Sequence, residues 1–449
     1  MKKTLLLSMA ATAVLFAGGT IEKVVVPEEV KPCPTSNLKW YGQTVLYYQT
    51  SETINAATNF ELFDGNRAWA NAGLKLGVTG TNLLGTGLGF GAEVVALGTL
   101  GLEKDTDGAG NQEYVVGVMQ MADQDGMSVN GGALTQLYLT YAMANTTAKV
   151  GRMQLPKSLS PFAFSEGWNV FKNTFEAALL VNTDLPDTTL VGAWVARGNG
   201  IGNLGVWGDL GANDNGVFML TAQNKSIEGL SLTGTVYFAS EAGVTTNEDL
   251  MILWGDAKFM MPVAGHNIGF GVQGGMIDSG ADDNTVAYGV KAMGKFNLPA
   301  FGNVALCAAY TGVNMNTTSN ATVQNSTGVK TPLYTQMVAN QNYISGAMSE
   351  NGEANTMMVK GTATYDLPAL GNVSFTVAYA QTELVDGNNV AVSNLNDYKE
   401  LDVIAKTKLG GAEVLAAYVN QTQDNSNVAG VASNEMDTQI VRVWAKWNF

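Results

Sequence analysis

From residue 39 onward, apolar and polar side chains alternate in runs of roughly ten residues, each closed by turn residues such as Gly, Asn, Asp or Pro. In the run 68–79, Ala68, Ala70, Ala72, Leu74, Leu76 and Val78 share one face, and Asn71, Lys75 and Thr79 lie on the other. In the run from residue 88, Leu88, Phe90, Ala92, Val94 and Ala96 oppose Glu93. The last run sets Val441, Val443, Ala445, Trp447 and Phe449 against Arg442, Trp444, Lys446 and Asn448. A period of two means a strand with each face in a different environment. Strands are predicted at 39–49, 68–79, 88–100, 133–143, 147–153, 174–182, 189–197, 217–223, 230–240, 251–261, 268–277, 286–296, 304–313, 356–366, 373–381, 398–408, 412–419 and 439–449. A further run, 113–122, also alternates. A closed single-chain barrel needs an even number, so this run is assigned to a long outer loop, 103–132, as a β excursion, leaving about eighteen strands.

Two connections stand apart. Residues 155–173 carry Pro, aromatics and charge together and would make a poor surface loop. Folded back into the mouth of a barrel, their aromatics have somewhere to pack. The stretch 314–355 is polar at first and then apolar enough to pack inward or over a neighbouring subunit. The predicted class is therefore all-β: a transmembrane antiparallel β-barrel with an inward-folded constriction loop at 155–173. The near-copied turns Leu298-Pro-Ala-Phe-Gly and Leu367-Pro-Ala-Leu-Gly echo hairpin construction.

Composition agrees: 52 Gly, one His and 14% charged residues suit a barrel wall better than two or three soluble domains. No blade-length repeat argues for a propeller. Lys2 and Lys3 precede an apolar stretch, Leu5 to Phe16, and Ala17 supplies a small residue. Residues 1–17 thus read as a cleaved signal peptide and imply export. Residues 18–38, with Pro27, Pro32 and Pro34 among acids and no alternation, read as a periplasmic tail, and 39–449 as the barrel. The stretch is too short to span a bilayer, and no other run of about 18 apolar residues exists. The formal net charge of −15 excludes nucleic acid as a partner and is assigned to the outer loops. Cys33 and Cys307 are the only cysteines. Their parity permits a bridge in an oxidising compartment, but two free thiols fit equally well.

Three stretches, TTAKVGRMQLPKSLSP at 146–161, SEGWNVFKNTFEAALLVN at 165–182 and PDTTLVGAWVARGNG at 186–200, resemble the Campylobacter-type major outer-membrane porins of epsilonproteobacteria. GFGAEVVALGTLGLE at 89–103 and the terminal aromatic strand fit as well. The resemblance implies an eighteen-stranded trimeric barrel in the outer membrane, passing small hydrophilic solutes and ions by diffusion. It also implies a terminal strand read by the barrel-assembly machinery, and in some members a calcium ion in the channel. No calcium ligand set maps onto this chain. Asp105, Asp107, Asp123 and Asp125 have the flavour of calcium loops without a complete set.

In a barrel the lumen face carries the function. Lys75, Glu93, Lys149, Asp256, Lys258, Lys291, Lys295, Lys360 and Arg442 alternate against the apolar sets and are assigned to the lumen wall. Arg152, Lys157, Glu166, Lys172, Glu176 and Arg197, near the inward loop, are assigned to the constriction, where opposed charges order water and favour polar solutes. Arg152 is awkward, since strict alternation groups it with Ala148 and Val150. Wall lysines favour anions and an acidic exterior favours cations, so the sign of selectivity stays open. The single His266 lies in a turn, which argues against a Ser–His enzyme on a barrel. A substrate-selective channel, and an adhesin or structural protein anchored by its barrel, are the competing readings.

Overall fold

The computed structural model describes residues 37–449 apart from 55–60, 65–66, 103–104, 107–111, 114–118, 120, 124–125, 129, 212–214, 244–247, 282, 299–301, 316–320, 349–352, 386–394 and 426–433. Cys33 and the expected signal peptide lie outside the described residues.

Eighteen antiparallel strands close on themselves. In chain order they are β1 (Asn37–Ile54), β2 (Ala68–Thr81), β3 (Leu88–Gly98), β4 (Gly131–Met143), β5 (Thr146–Met153), β6 (Phe175–Asn182), β7 (Thr188–Gly200), β8 (Val217–Asn224) and β9 (Leu230–Ala239). Then follow β10 (Leu250–Val263), β11 (His266–Asp278), β12 (Thr285–Leu298), β13 (Gly302–Asn314), β14 (Glu353–Leu367), β15 (Gly371–Val385), β16 (Leu395–Leu409), β17 (Ala412–Asn425) and β18 (Asn434–Asn448). The seam is β1 against β18, from Gln43 opposite Asn448 to Ile54 opposite Asp437. Beyond it Phe449 exchanges both backbone hydrogen bonds with Gly42, at 2.7 and 3.0 Å. Every sheet edge in the wall is thereby paired, as a bilayer demands. The stretch 103–132 stays out of the wall. Its described parts form two small ribbons, Asp105–Thr106 with Gln112–Glu113 and Met121–Asp123 with Gly126–Ser128. One strand was not expected: Asn203–Asp209 pairs with the end of β7 and extends it as a spur beyond the wall.

Alternation holds around the barrel. Leu74, Leu76, Leu139, Leu220, Phe270, Val290, Leu306, Val359, Phe375 and Trp447 are exposed on the outer face, while their strand neighbours turn inward. The turns β2–β3, β4–β5, β6–β7 and onward are short and share one end; the long connections share the other. The wall is uneven in height. β5, β6 and β8 have eight residues each, and β12 to β18 have 13 to 15. The interior beside the short strands holds the largest core cluster, built from Met153, Phe162, Phe175, Val195, Met219, Tyr237 and Trp254 among others. An inner face this apolar exists because two loops fill it.

Candidate functional site

The first filling loop leaves β5 at Met153 and returns at Phe175. Pro156 starts a turn in which Leu159 and Ser160 both donate to its carbonyl, and Ser165 closes the base onto Leu155 at 2.9 Å. One side docks on β8 to β10. Thr221 Oγ1 donates to the Leu159 carbonyl at 2.8 Å. The Tyr237 hydroxyl accepts the Phe162 amide at 3.1 Å and meets Ser160 Oγ at 3.2 Å. Phe162 stands edge-on to Tyr237 and Trp254. The other side docks near the seam. Trp168 meets Trp444 edge-on, Lys446 Nζ donates to the Asn169 carbonyl at 3.0 Å, and Phe171 lies against Gly73 of β2. With anchors on β8–β10 and on β18 and β2, the loop crosses the lumen. Gly73 leaves room for that crossing, since a Cβ there would meet the Phe171 ring at 2.7 Å.

The second filling loop joins β13 to β14 and contains one helical turn, Gln341–Ile344. It seats on two buried acids of β16: the Val338 amide donates to Asp402 Oδ2 at 3.1 Å and the Ala339 amide to Glu400 Oε1 at 2.9 Å. Tyr343 stacks on Tyr398 with centroids 3.7 Å apart. The two loops lock at Glu166. Its Oε1 accepts Asn325 Nδ2 at 2.7 Å and the Lys330 amide at 2.9 Å, while Oε2 is buried without a partner. Asn325 Oδ1 accepts the Phe164 amide, Asn173 Nδ2 donates to Thr327 Oγ1, and the Ser326 amide donates to the Phe162 carbonyl.

Four lysines converge beside this lock. Lys157 Nζ donates to the Thr331 carbonyl at 2.5 Å. Lys258 pairs with Asp256 at 2.8 Å, Tyr334 donates to the same carboxylate at 2.6 Å, and Lys291 Nζ lies 3.8 Å over the Tyr334 ring. Burial brings Lys157 down to about 7, helped by repulsion from Lys330, Lys258 and Lys291 and opposed by Glu166. Burial likewise brings Lys330 down to about 8, with Glu166 acting against it. Cations held this close together in the lumen attract an anion.

Across the lumen the charges are paired. Lys75 faces Glu93 at 3.7 Å, and Glu93 also accepts Tyr41 and Thr135. Arg442 donates to Gln49 at 2.9 Å, and Lys406 pairs with Glu413 at 2.9 Å. Lys149 lies 3.7 Å over the Tyr138 ring. Lys295 shares the inward parity of Lys291 and Met293, and Lys360 is opposite Cys307 in register. All nine residues assigned to the lumen wall thus lie on the inward face.

The constriction set divides. Lys157, Glu166 and Lys172 lie in the crossing loop. Arg152, Glu176 and Arg197 come together, but on the other side of the wall. Arg152 Nη2 meets Glu176 Oε1 at 2.7 Å, Arg197 Nη2 meets Glu176 Oε2 at 2.7 Å, and Asp209 lies 3.8 Å from Arg197. Arg152 also stacks over Trp207, 4.0 Å from its centroid. Glu176 alternates with Phe175 and Ala177, which are buried under the loop, and shares its face with exposed Leu180. Arg152 shares its face with exposed Val150, as strict alternation had grouped it. Polarity normally marks the wet inner face; here the loop makes the inner face apolar and the rule inverts. A bulge at Glu176/Ala177 puts Arg197 in register with Glu176.

Two further expectations stay open. Cys307 is buried among Met293, Met337 and Met358, and its possible bridge partner Cys33 lies outside the described residues. No group of three or more His, Cys, Asp or Glu able to hold a metal ion occurs among the described residues. Asn325, Lys330, Tyr334 and Tyr237 escaped sequence reasoning. For Lys330 and Tyr334 the hint was the apolar drift of the 330–348 segment after a polar start.

The barrel is shared with known channels. No protein-family model matches the chain, and no curated protein matches it. Solved structures do. Pseudomonas aeruginosa OccD3 (OpdP) superposes with a TM-score of 0.63 at 13% identity, over 94% of this chain and 95% of that one. Pseudomonas aeruginosa OpdK, solved with vanillate, gives 0.64 at 13% identity, over 91% and 99%. Acinetobacter baumannii OccAB1 gives 0.60 at 12%, over 95% and 99%. At this identity the likeness carries the fold: a closed eighteen-stranded antiparallel barrel of the outer-membrane channel type.

Proposed function

We propose that the chain forms a water-filled pore in the outer membrane that passes small hydrophilic solutes by diffusion and prefers anions. The observation that carries this reading is the convergence of Lys157, Lys258, Lys291 and Lys330 beside the crossing loop, facing a wall whose charges are already paired. Lysines that share a poorly hydrated niche repel one another, and an entering carboxylate relieves that repulsion. Tyr334, half-buried beside Lys258 and Lys291, offers an apolar face to an aromatic or aliphatic body. The vanillate in the OpdK structure is an aromatic carboxylate, which fits this chemistry. The outward apolar belt, the paired edges and the resemblance to Campylobacter-type porins support an outer-membrane location, and the same resemblance supports a trimer and a C-terminal strand read by the barrel-assembly machinery. The function needs no covalent step and no cofactor.

Single-channel recording in a planar bilayer under a salt gradient tests the reading. A conducting pore whose reversal potential reports anion preference is expected, with Lys258→Glu and Lys291→Glu together shifting that potential toward cations. A folded barrel that never conducts would refute the proposal and favour a barrel that only anchors its loops.

A further inference from the structure

Sulfur gathers at one place on the inner wall. Under the second loop, the buried members of the apolar cluster among the described residues are Met293, Cys307, Met337 and Met358, with Ala309, Ala378 and Ala380. The cluster under the first loop is built mainly from Val, Leu, Ile, Phe and Trp, the residues that dense packing selects. Methionine is used sparingly for that purpose, because its chain is flexible and specifies a core poorly. The strands bring these sulfurs side by side. Met293 of β12 and Cys307 of β13 are direct partners in register, so their Cβ atoms leave the wall ~5 Å apart. Met358 of β14 is the partner of Ala309, two residues along from Cys307 on the same face and within reach of a long side chain. Met260 of β10 enters from the other flank. Gly269 stands between Met260 and Met293 in the register, and a Cβ there would strike Met260 Sδ and lie 3.1 Å from Met293 Cγ. The side chain missing at Gly269 is what lets the two thioethers converge. Met260 is half-buried and shares the inward parity of Lys258, which leaves a path from the lumen.

We infer that this cluster binds a soft monovalent metal ion, Cu(I) or Ag(I), through Met293, Cys307 and Met358, with Met260 at the entry and Met337 as the cover. Thiolate and thioether donors select such ions, whereas calcium and magnesium require oxygen. On binding, the Cys307 thiol gives its proton to water, its sulfur bonds the metal, and the thioethers add lone pairs; the metal keeps its oxidation state. Charge sets the valence. Lys291 stands two residues before Met293, and Lys360 is opposite Cys307 in register. A monovalent ion on one thiolate is neutral and tolerates these two ammonium groups, but a divalent ion would leave a net positive charge between them. Met337 belongs to the second loop, so the bound ion ties that loop to the wall. The inference does not depend on conduction.

The test uses the full chain carrying Cys33→Ser, so that Cys307 stays a thiol, in detergent under reducing, oxygen-free conditions. Cu(I) is offered in competition with a chromogenic Cu(I) chelator. The protein is expected to retain Cu(I), and X-ray absorption at the copper edge is expected to show several sulfur neighbours and no nitrogen or oxygen. Met293→Leu combined with Met358→Leu nearly conserves volume and should weaken retention roughly tenfold or more, as should Cys307→Ala. Met219→Leu, a buried methionine of the other cluster, should leave retention unchanged. Heat-modifiable gel mobility checks the folding of each variant. Should the double variant fail to fold, the absorption spectrum of the parent chain decides by itself, because a bare thiol would draw nitrogen or oxygen neighbours from the solvent. No retained copper, such neighbours in the spectrum, or retention that depends on Cys307 but not on the methionines would each overturn the inference. A barrel that holds copper in this way yet never conducts would instead refute the channel reading and leave this one standing.

Discussion

Glu166 holds the two lumen loops to each other, and replacing it measures how firmly. Glu166→Ala removes the acceptor of Asn325 Nδ2 and of the Lys330 amide. A buried donor left unsatisfied costs about 1–3 kcal/mol, and hydrogen bonds to a charged acceptor lie at the upper end. Two such losses sum to ~2–6 kcal/mol. Water can enter from the pore and recover part of this, so about 2–4 kcal/mol remains against loop–loop association. At tenfold per 1.4 kcal/mol, the loops open roughly 30- to 700-fold more often. Hydrogen exchange reads this directly at three amides hydrogen-bonded across the lock: Phe164, Ser326 and Lys330. All three should accelerate together, while the amides of β12 and β13 do not change. Glu166→Gln retains an acceptor at Oε1 and places its amide at the unpartnered Oε2, so it should fall close to the parent protein. Unchanged exchange in Glu166→Ala, or acceleration confined to the first loop, would refute the lock.

Gly328→Ala should loosen the same contact without touching a charge, because a Cβ there runs into Glu166 Oε1; exchange at Lys330 reports it. Lysines brought down to about 7 and about 8 are charged below those values and neutral above them. Anion preference should therefore fall as pH rises from 6 to 9, read as a reversal potential drifting toward zero, and a flat profile would remove Lys157 and Lys330 from the selectivity argument. Tyr237→Phe leaves the Phe162 amide and Ser160 without their shared partner, at about 1–3 kcal/mol of local stability; noisier single-channel current is the expected sign.

Strand number and register were legible because a bilayer enforces period two: a residue such as Leu74 or Val290 has one environment available to it and its neighbour the other. The inward loop was legible for a related reason, since Phe162, Phe164 and Phe171 have no place on a wet surface. The lock was not legible. Glu166 and Asn325 are 159 residues apart, and neither belongs to a pattern; a polar pair becomes visible only once the loops meet. The Arg152 ladder was misplaced for a physical reason. Assigning polar residues to the lumen presumes that the lumen is wet, yet under the crossing loop Phe175 and Ala177 are the buried ones. Where a plug is apolar, the charged face is the outer one.

The seam between β1 and β18 has a kinetic consequence. Gln43 and Asn448 touch across 405 residues of sequence, so the contact that removes the last free edges joins the two ends of the barrel. No local nucleus can close the cylinder. Until both rims arrive, Gly42 and Phe449 offer unsatisfied backbone to any passing strand, which makes a half-built wall prone to aggregate. Escort of the unfolded chain, followed by closure as a late and abrupt step, is the order of assembly that this topology imposes.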